Sequence, residues 1–218
     1  MLVNFRAPAS RLASLLPPAC ELDSWDGRAY VSLVALRMER VRIRGLALPG
    51  LTAFPQVNLR FYVRHAGRPA VCFVQELVQN RLLVAGARWL YGEPFRAGYI
   101  RSEVMDRPDG TTLACHFGRD RPEAHLHVSG GPLLPAPAGD TFAHWLKERT
   151  RGCRAGAGGR VRTFDVTHPP WAVRRVEAVR LDACFADLYG ADWSFLDGAR
   201  PASVVYAEGS EVSVSMPS

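Results

Sequence analysis

Apolar and polar residues alternate along most of this chain. A period of two marks strands that cover one face and leave the other wet. "RAYVSLVALRMERVRIRG" (28–45) reads as a long strand, with Arg40, Arg42 and Arg44 alternating with Val41 and Ile43. "QVNLRFYVRHAGRPAVCFVQEL" (56–77) predicts two strands joined at "HAGRP". In the first of them Val57, Leu59, Phe61 and Val63 point one way and Asn58, Arg60 and Tyr62 the other. "AGYIRSEVM", "TTLACHFG" and "EAHLHVSG" predict three more strands, the first two linked by the turn signal "DRPDG". "VRTFDVTH" and "WAVRRVEAVRLDACFADLYG" read as further strong strands, and "ASVVYAEG" and "EVSVSM" as a weaker closing pair.

Helical spacing interrupts this pattern about three times. After Pro8, Leu12, Leu15 and Leu16 share a face until Pro17-Pro18. Asn80 is placed to cap a helix carrying Leu82, Leu83, Gly86, Trp89 and Leu90. Asp140 is placed to cap a short helix with Phe142, Trp145 and Leu146 inward. "GGPLLPAPAGD" and "RGCRAGAGGR" read as loops, the second a flexible one. The expected fold is therefore mainly β with a few short helices (α+β), in one domain over 1–218. So many strands are expected to close into an antiparallel β-barrel, which removes exposed edges.

Composition fits a globular protein of the cytoplasm. Apolar residues make up 48% of the 218 and charged residues 22%. No apolar run is long enough to span a membrane, and the N-terminus lacks the pattern of a signal peptide. Five cysteines without a Cys-x-x-Cys pair suit free thiols. The net charge of +6 would suit a nucleic-acid partner, but the arginines are scattered and Lys147 is the only lysine. No nucleic-acid partner, membrane or cofactor is expected, and self-association is left open.

Candidate chemistry is sparse. No Gly-x-Ser-x-Gly elbow, phosphate loop or His-Glu-x-x-His is present. His125 and His127 share a strand face, with His116 on the preceding strand, and three imidazoles suit a metal. Polar alternation alone also produces that spacing, so no metal is assigned. The set Asn58, Arg60 and Tyr62 is more pointed, because arginine grips a carboxylate or carbonyl with paired hydrogen bonds. His168, in "HPPW" before Trp171, is either a ligand contact or the start of a rigid strand.

"LASLLPPACELD", "FPQVNLRFYV", "ARWLYGEPFRAGY", "HWLKERT" and "THPPW" occur in this order. Together they resemble the uncharacterised bacterial YqjF-like family, a branch of the acetoacetate-decarboxylase-like superfamily, from about residue 2 to 206. The resemblance implies a closed, cone-like barrel with an internal ligand cavity. In true acetoacetate decarboxylases one of two lysines after a Tyr-Pro pair forms an imine with the substrate ketone, its pKa lowered by the neighbouring cation. Here Pro94 keeps the proline and Phe95-Arg96 stand at the lysines' place. Phenylalanine has no nucleophile and guanidinium stays protonated. An acidic residue of that site falls near Gln56. The expectation is a small-molecule site for an acidic or carbonyl ligand built from Asn58, Arg60, Arg88, Tyr91 and Arg96, without imine chemistry. Glu93, His116 and His168 are the candidates for moving a proton if there is turnover. The alternative is a non-catalytic structural, interaction or metabolite-sensing protein.

Overall fold

The computed structural model describes residues 1–39, 53–92, 94–210 and 212–215. The arginine alternation at 40–44 and the side chains of Leu90, Tyr91 and Glu93 lie outside what is described. The first half of the chain forms β1 (Leu2–Ala7), α1 (Ala9–Ala13), β2 (Cys20–Leu22), β3 (Ala29–Met38), β4 (Phe54–His65), β5 (Arg68–Val78), α2 (Arg81–Tyr91) and β6 (Phe95–Ala97). Next come β7 (Tyr99–Arg107), β8 (Gly110–Gly118), β9 (Ala124–Leu134), α3 (Phe142–Lys147) and β10 (Arg151–Ala155). The chain closes with β11 (Val161–Thr167), β12 (Val173–Asp182), α4 (Phe185–Tyr189), β13 (Ser203–Ala207) and β14 (Ser213–Val214).

The strands form one sheet in the order β14-β11-β10-β5-β4-β3-β1-β13-β12-β9-β8-β7, with β2 also on β4 and β6 also on β5. The expected closed barrel is not formed. The path ends at β7 on one side and at the two-residue β14 on the other, and these ends do not pair. Two features account for this. Beyond β5 the ladder passes to β10 through a single parallel register pair and to the three-residue β6, so among the described residues no long partner is offered to β7. Among the described residues one edge of β7 is unpaired, and the strand carries Arg101, Glu103, Asp106 and Arg107, all exposed, whose charge discourages further pairing.

Turn chemistry follows the sequence closely where it is local. Between β4 and β5, Ala66 and Gly67 both take positive φ (49° and 73°), as a two-residue hairpin requires. Asn80 caps α2, its Oδ1 accepting from the N–H of Leu82 (2.8 Å) and Leu83 (3.1 Å). α2 ends at Gly92, whose φ of 69° lets its N–H return to Arg88 O. Elsewhere the pattern misleads. Thr141 rather than Asp140 caps α3, accepting from His144 N–H at 3.3 Å. The glycine-rich run expected to be flexible contains β10, because Gly152 lies where the Phe164 ring of β11 leaves no room for a Cβ. The segment 171–190 is a strand only as far as Asp182, then a break and α4.

Each face of the sheet has its own core. On one face Val3, Phe5, Val31, Leu33, Leu59 and Phe61 join Leu113, Phe117, Leu126 and Val128 in a single cluster, with Phe185, Trp193 and Leu196 from the C-terminal region. Most are fully buried, each contributing roughly 1.5–3 kcal/mol. The space between the two limbs of the curved sheet is thus occupied by apolar side chains. On the opposite face Tyr30, Val34, Tyr62, Val71 and Val205 pack beneath Leu146 of α3, with Phe142 and Trp145 against them.

Candidate functional site

Strand alternation places Asn58, Arg60 and Tyr62 on the second face, under α3, and not between the limbs of the sheet. Asn58 and Tyr62 are buried and Arg60 is half-buried. A polar row crosses four strands here, since β4 pairs β3 at Arg60–Ser32, β3 pairs β1 at Ser32–Asn4, and β1 pairs β13 at Asn4–Ser203. Asn4 Nδ2 donates to Ser203 Oγ (3.0 Å), and Ser32 Oγ donates to Asn4 Oδ1 (2.6 Å). Ser32 has a single hydroxyl proton and spends it there, so Tyr62 Oη is the donor in its 2.5 Å contact with Ser32.

The C-terminus of α3 brings charge to this face. Arg60 Nη2 donates to Leu146 O at 3.1 Å. The next three residues, Lys147, Glu148 and Arg149, each find a buried or half-buried partner. The Lys147 ammonium, with a fully buried side chain, meets Glu148 Oε1, which also accepts from Trp171 N–H at 3.2 Å. The other oxygen of Glu148 lies 3.6 Å from His168 Nδ1. That nitrogen donates to Pro169 O at 2.9 Å, and the imidazole stacks on Trp171 with ring centres 3.9 Å apart. Arg149 Nη1 reaches Asp23 Oδ2 at 2.6 Å and its Nε reaches Trp145 O at 2.7 Å. Its guanidinium lies over the rings of Trp145 (4.3 Å) and Tyr62 (5.1 Å). Burial pulls the Arg149 guanidinium below its ordinary range, and the bond and charge of Asp23 work against that.

A second polar pair lies nearby on the same face. β5 pairs β4 at Glu76–Asn58, and buried Gln56 donates through Nε2 to Glu76 Oε2 at 2.5 Å. β6 runs parallel to β5 with Phe95 opposite Glu76 and Arg96 opposite Leu77, and Glu76 N–H donates to Pro94 O. Gly92 therefore ends α2, and from Pro94 the chain runs into a short added strand. Arg96 is half-buried there, while Arg88 is exposed on α2 and Trp89 is 80% exposed.

The sequence candidates are therefore dispersed. Arg60 and the His168 ring reach the C-terminal end of α3, Asn58 shares the strand face of Arg60, Arg96 borders β5, Arg88 is exposed, and His116 lies on the far limb of the sheet. Sequence reasoning passed over Asp23, Glu76, Lys147, Glu148 and Arg149. Two signals pointed to them: a single lysine among arginines, and one acid inside the apolar run of β5. Polar atoms on this face that are buried and without a hydrogen-bond partner among the described residues include Asn58 Oδ1, Arg60 Nε and Arg149 Nη2. Two concavities are also described, of about 540 and 470 Å3, and Arg60, Arg88 and Arg96 line neither. Among the described residues no helix is long and apolar enough to cross a membrane.

Comparison with known proteins agrees with this architecture. The family model DUF2071, an uncharacterized conserved protein, matches residues 1–211. Protein YqjF of Bacillus subtilis is 30% identical over 181 residues, 82% of this chain and 73% of that one. Acetoacetate decarboxylase from Legionella pneumophila superposes with a TM-score of 0.62 at 14% identity, over 99% of this chain and 81% of that one. The enduracididine biosynthesis enzyme MppR complexed with pyruvate gives a TM-score of 0.58 at 15% identity, over 94% of this chain and 80% of that one.

Proposed function

The chain belongs to the DUF2071 family, within the YqjF-like branch of the acetoacetate-decarboxylase-like superfamily, and from that membership we propose that it binds a small carboxylate or carbonyl compound under α3. The observation that supports this most is the set of unmet polar atoms. Arg60 Nε and Arg149 Nη2 are donors, and Asn58 Oδ1 is an acceptor. A buried polar atom without a partner costs about 1–3 kcal/mol. A ligand with a carboxylate or carbonyl for the two guanidinium groups, and a hydroxyl or amide for Asn58, removes that cost in one step. MppR binds pyruvate on the same fold, which makes 2-oxo acids the compounds to try first.

Imine chemistry has no place in this proposal. Phe95 and Arg96 carry no amine able to condense with a ketone, and the Lys147 ammonium is engaged by Glu148. If turnover accompanies binding, the Glu148–His168 pair is the group to move a proton, since both side chains reach the same face.

The test is a melting-temperature screen with pyruvate, 2-oxobutyrate, acetoacetate and lactate. A ligand at a hundred times its Kd adds about 2.7 kcal/mol to the folded state. For a chain of this size that raises Tm by roughly 5–10 °C. The rise is expected for the unchanged protein and lost in Arg60→Ala. An equal rise in Arg60→Ala, or no response to any of the four, removes the site. A borohydride-stable adduct with acetoacetate removes the exclusion of imine chemistry.

A further inference from the structure

The histidines of β8 and β9 lie on the far limb of the sheet, away from α3. β8 and β9 pair at His116–His125 and at Ala114–His127, and β9 pairs β12 at His125–Asp182 and at His127–Arg180. Alternation puts all six side chains on one face, because the intervening Leu113, Cys115, Phe117, Leu126 and Val128 are buried in the core. This outer face carries three imidazoles within two adjoining cross-strand cells, grouped around the small side chain of Ala114. Together Ala114, His116, His125, Leu126, His127, Arg180 and Asp182 line a concavity of about 470 Å3.

His116 and His125 already meet there. Their Nδ1 atoms are 2.6 Å apart and their rings are nearly perpendicular, at 85°. One proton between the two nitrogens makes this contact a hydrogen bond. Two nitrogens bound to one tetrahedral ion at about 2.0–2.1 Å lie about 3.3 Å apart. Replacing the proton by an ion therefore opens the pair by less than an ångström, between half-buried His116 and exposed His125.

We propose that His116 and His125, joined by His127 or Asp182, form a surface site for a divalent transition-metal ion of the zinc, nickel and copper class. Imidazole nitrogen with at most one carboxylate selects these ions over magnesium or calcium. Among the described residues no three such side chains are yet grouped about one point, so the third ligand joins by rotating in from the solvent side. Both candidates are exposed and free to do so. The flanking charges permit a cation. Arg101, opposite His116 on β7, is held by Glu103 at 2.7 Å, and Arg180 is offset by Asp182 two residues away.

The experiment is calorimetric titration of the untagged full chain with ZnCl2, NiCl2 and MgCl2. One zinc or nickel ion per chain is expected to bind with micromolar affinity, and magnesium not at all. His116→Ala and His125→Ala are each expected to weaken zinc at least tenfold, and His127→Ala or Asp182→Ala about threefold. The cobalt-loaded protein distinguishes this site from the thiols, since only a thiolate ligand adds an intense near-ultraviolet charge-transfer band. Binding that survives the His116→Ala/His125→Ala double change, a thiolate band, or no saturable binding overturns the proposal. The variants' unchanged melting temperature without metal serves as the control for folding.

Discussion

Removing the carboxylate of Asp23 isolates what holds α3 to the sheet. Asp23 and Arg149 are 9% and 2% exposed at the side chain and 2.6 Å apart. At an effective dielectric of about 20, two unit charges near 3 Å attract by roughly 5 kcal/mol. Desolvation has already consumed much of that in the intact protein, but Asp23→Ala leaves Arg149 buried with its charge unmatched. Breaking such a pair costs about 3–5 kcal/mol. The rings of Trp145 and Tyr62 remain against the guanidinium and offset about a third of that cost, so the expected loss is about 3 kcal/mol. At 2–4 °C per kcal/mol this lowers Tm by roughly 6–12 °C. Arg149→Met is expected to cost less, about 2 kcal/mol, since Asp23 keeps Arg64 at 3.9 Å on its solvent side. Urea unfolding followed by tryptophan fluorescence measures both, because Trp25 and Trp145 lie in this core. The double change Asp23→Ala/Arg149→Met is expected to fall short of the summed losses by about 2 kcal/mol. If the two losses simply add, or if Asp23→Ala costs under about 1 kcal/mol, the pair does not dock the helix as described.

Further outcomes are expected elsewhere. Gly152→Ala puts a Cβ about 2.3 Å from the Phe164 ring, so it is expected to cost roughly 1–3 kcal/mol by the same urea assay. Ellman's reagent at pH 8 is expected to label exposed Cys184 fast and half-buried Cys20 slowly. Buried Cys72, Cys115 and Cys153 should wait for unfolding, the Cys115 thiol being pushed up to about 11 by burial. Hydrogen bonding from Arg151 holds the Asp165 carboxyl below its usual range. Its contribution is therefore present above the unfolded carboxyl's pKa and lost as pH falls through the lower folded value, and in Asp165→Asn the acid limb of a stability–pH curve should be shallower. Arg60→Lys is expected to keep a near-normal Tm and to lose the ligand response, because one ammonium cannot serve both roles of the guanidinium.

Local chemistry was legible in the sequence, and long-range pairing was not. The face shared by Asn58, Arg60 and Tyr62, the Asn80 cap and the turn at residues 66 and 67 depend on neighbours within a few residues. Whether β7 closes against β5 depends on residues far apart and on the short β6 and β10, which no alternation encodes. Alternation also divides a strand into two faces without saying which face a helix covers. The apolar face of β4 went to the larger core and the polar face went under α3, the reverse of a polar hollow inside a barrel. The run Lys147-Glu148-Arg149 has the composition of a solvated surface. It is buried only because Asp23, His168 and the Trp171 amide reach it from distant segments.

That convergence bears on how a helix of six residues keeps its place. Such a helix is too short to be stable alone, and packing must hold it. Its C-terminal end is tied by Arg60 to the carbonyl of Leu146 and by Arg149 to Asp23 and the carbonyl of Trp145. The same two guanidinium groups are the donors proposed for the ligand. The roles do not compete, because they fall on different nitrogens. Arg60 docks the helix through Nη2 and leaves Nε; Arg149 docks it through Nε and Nη1 and leaves Nη2. A planar cation with donors on three nitrogens does both tasks at once, and the single nitrogen of an ammonium does not. This gives a physical reason for arginine at both positions, and it ties the integrity of the fold under α3 to the readiness of the proposed site.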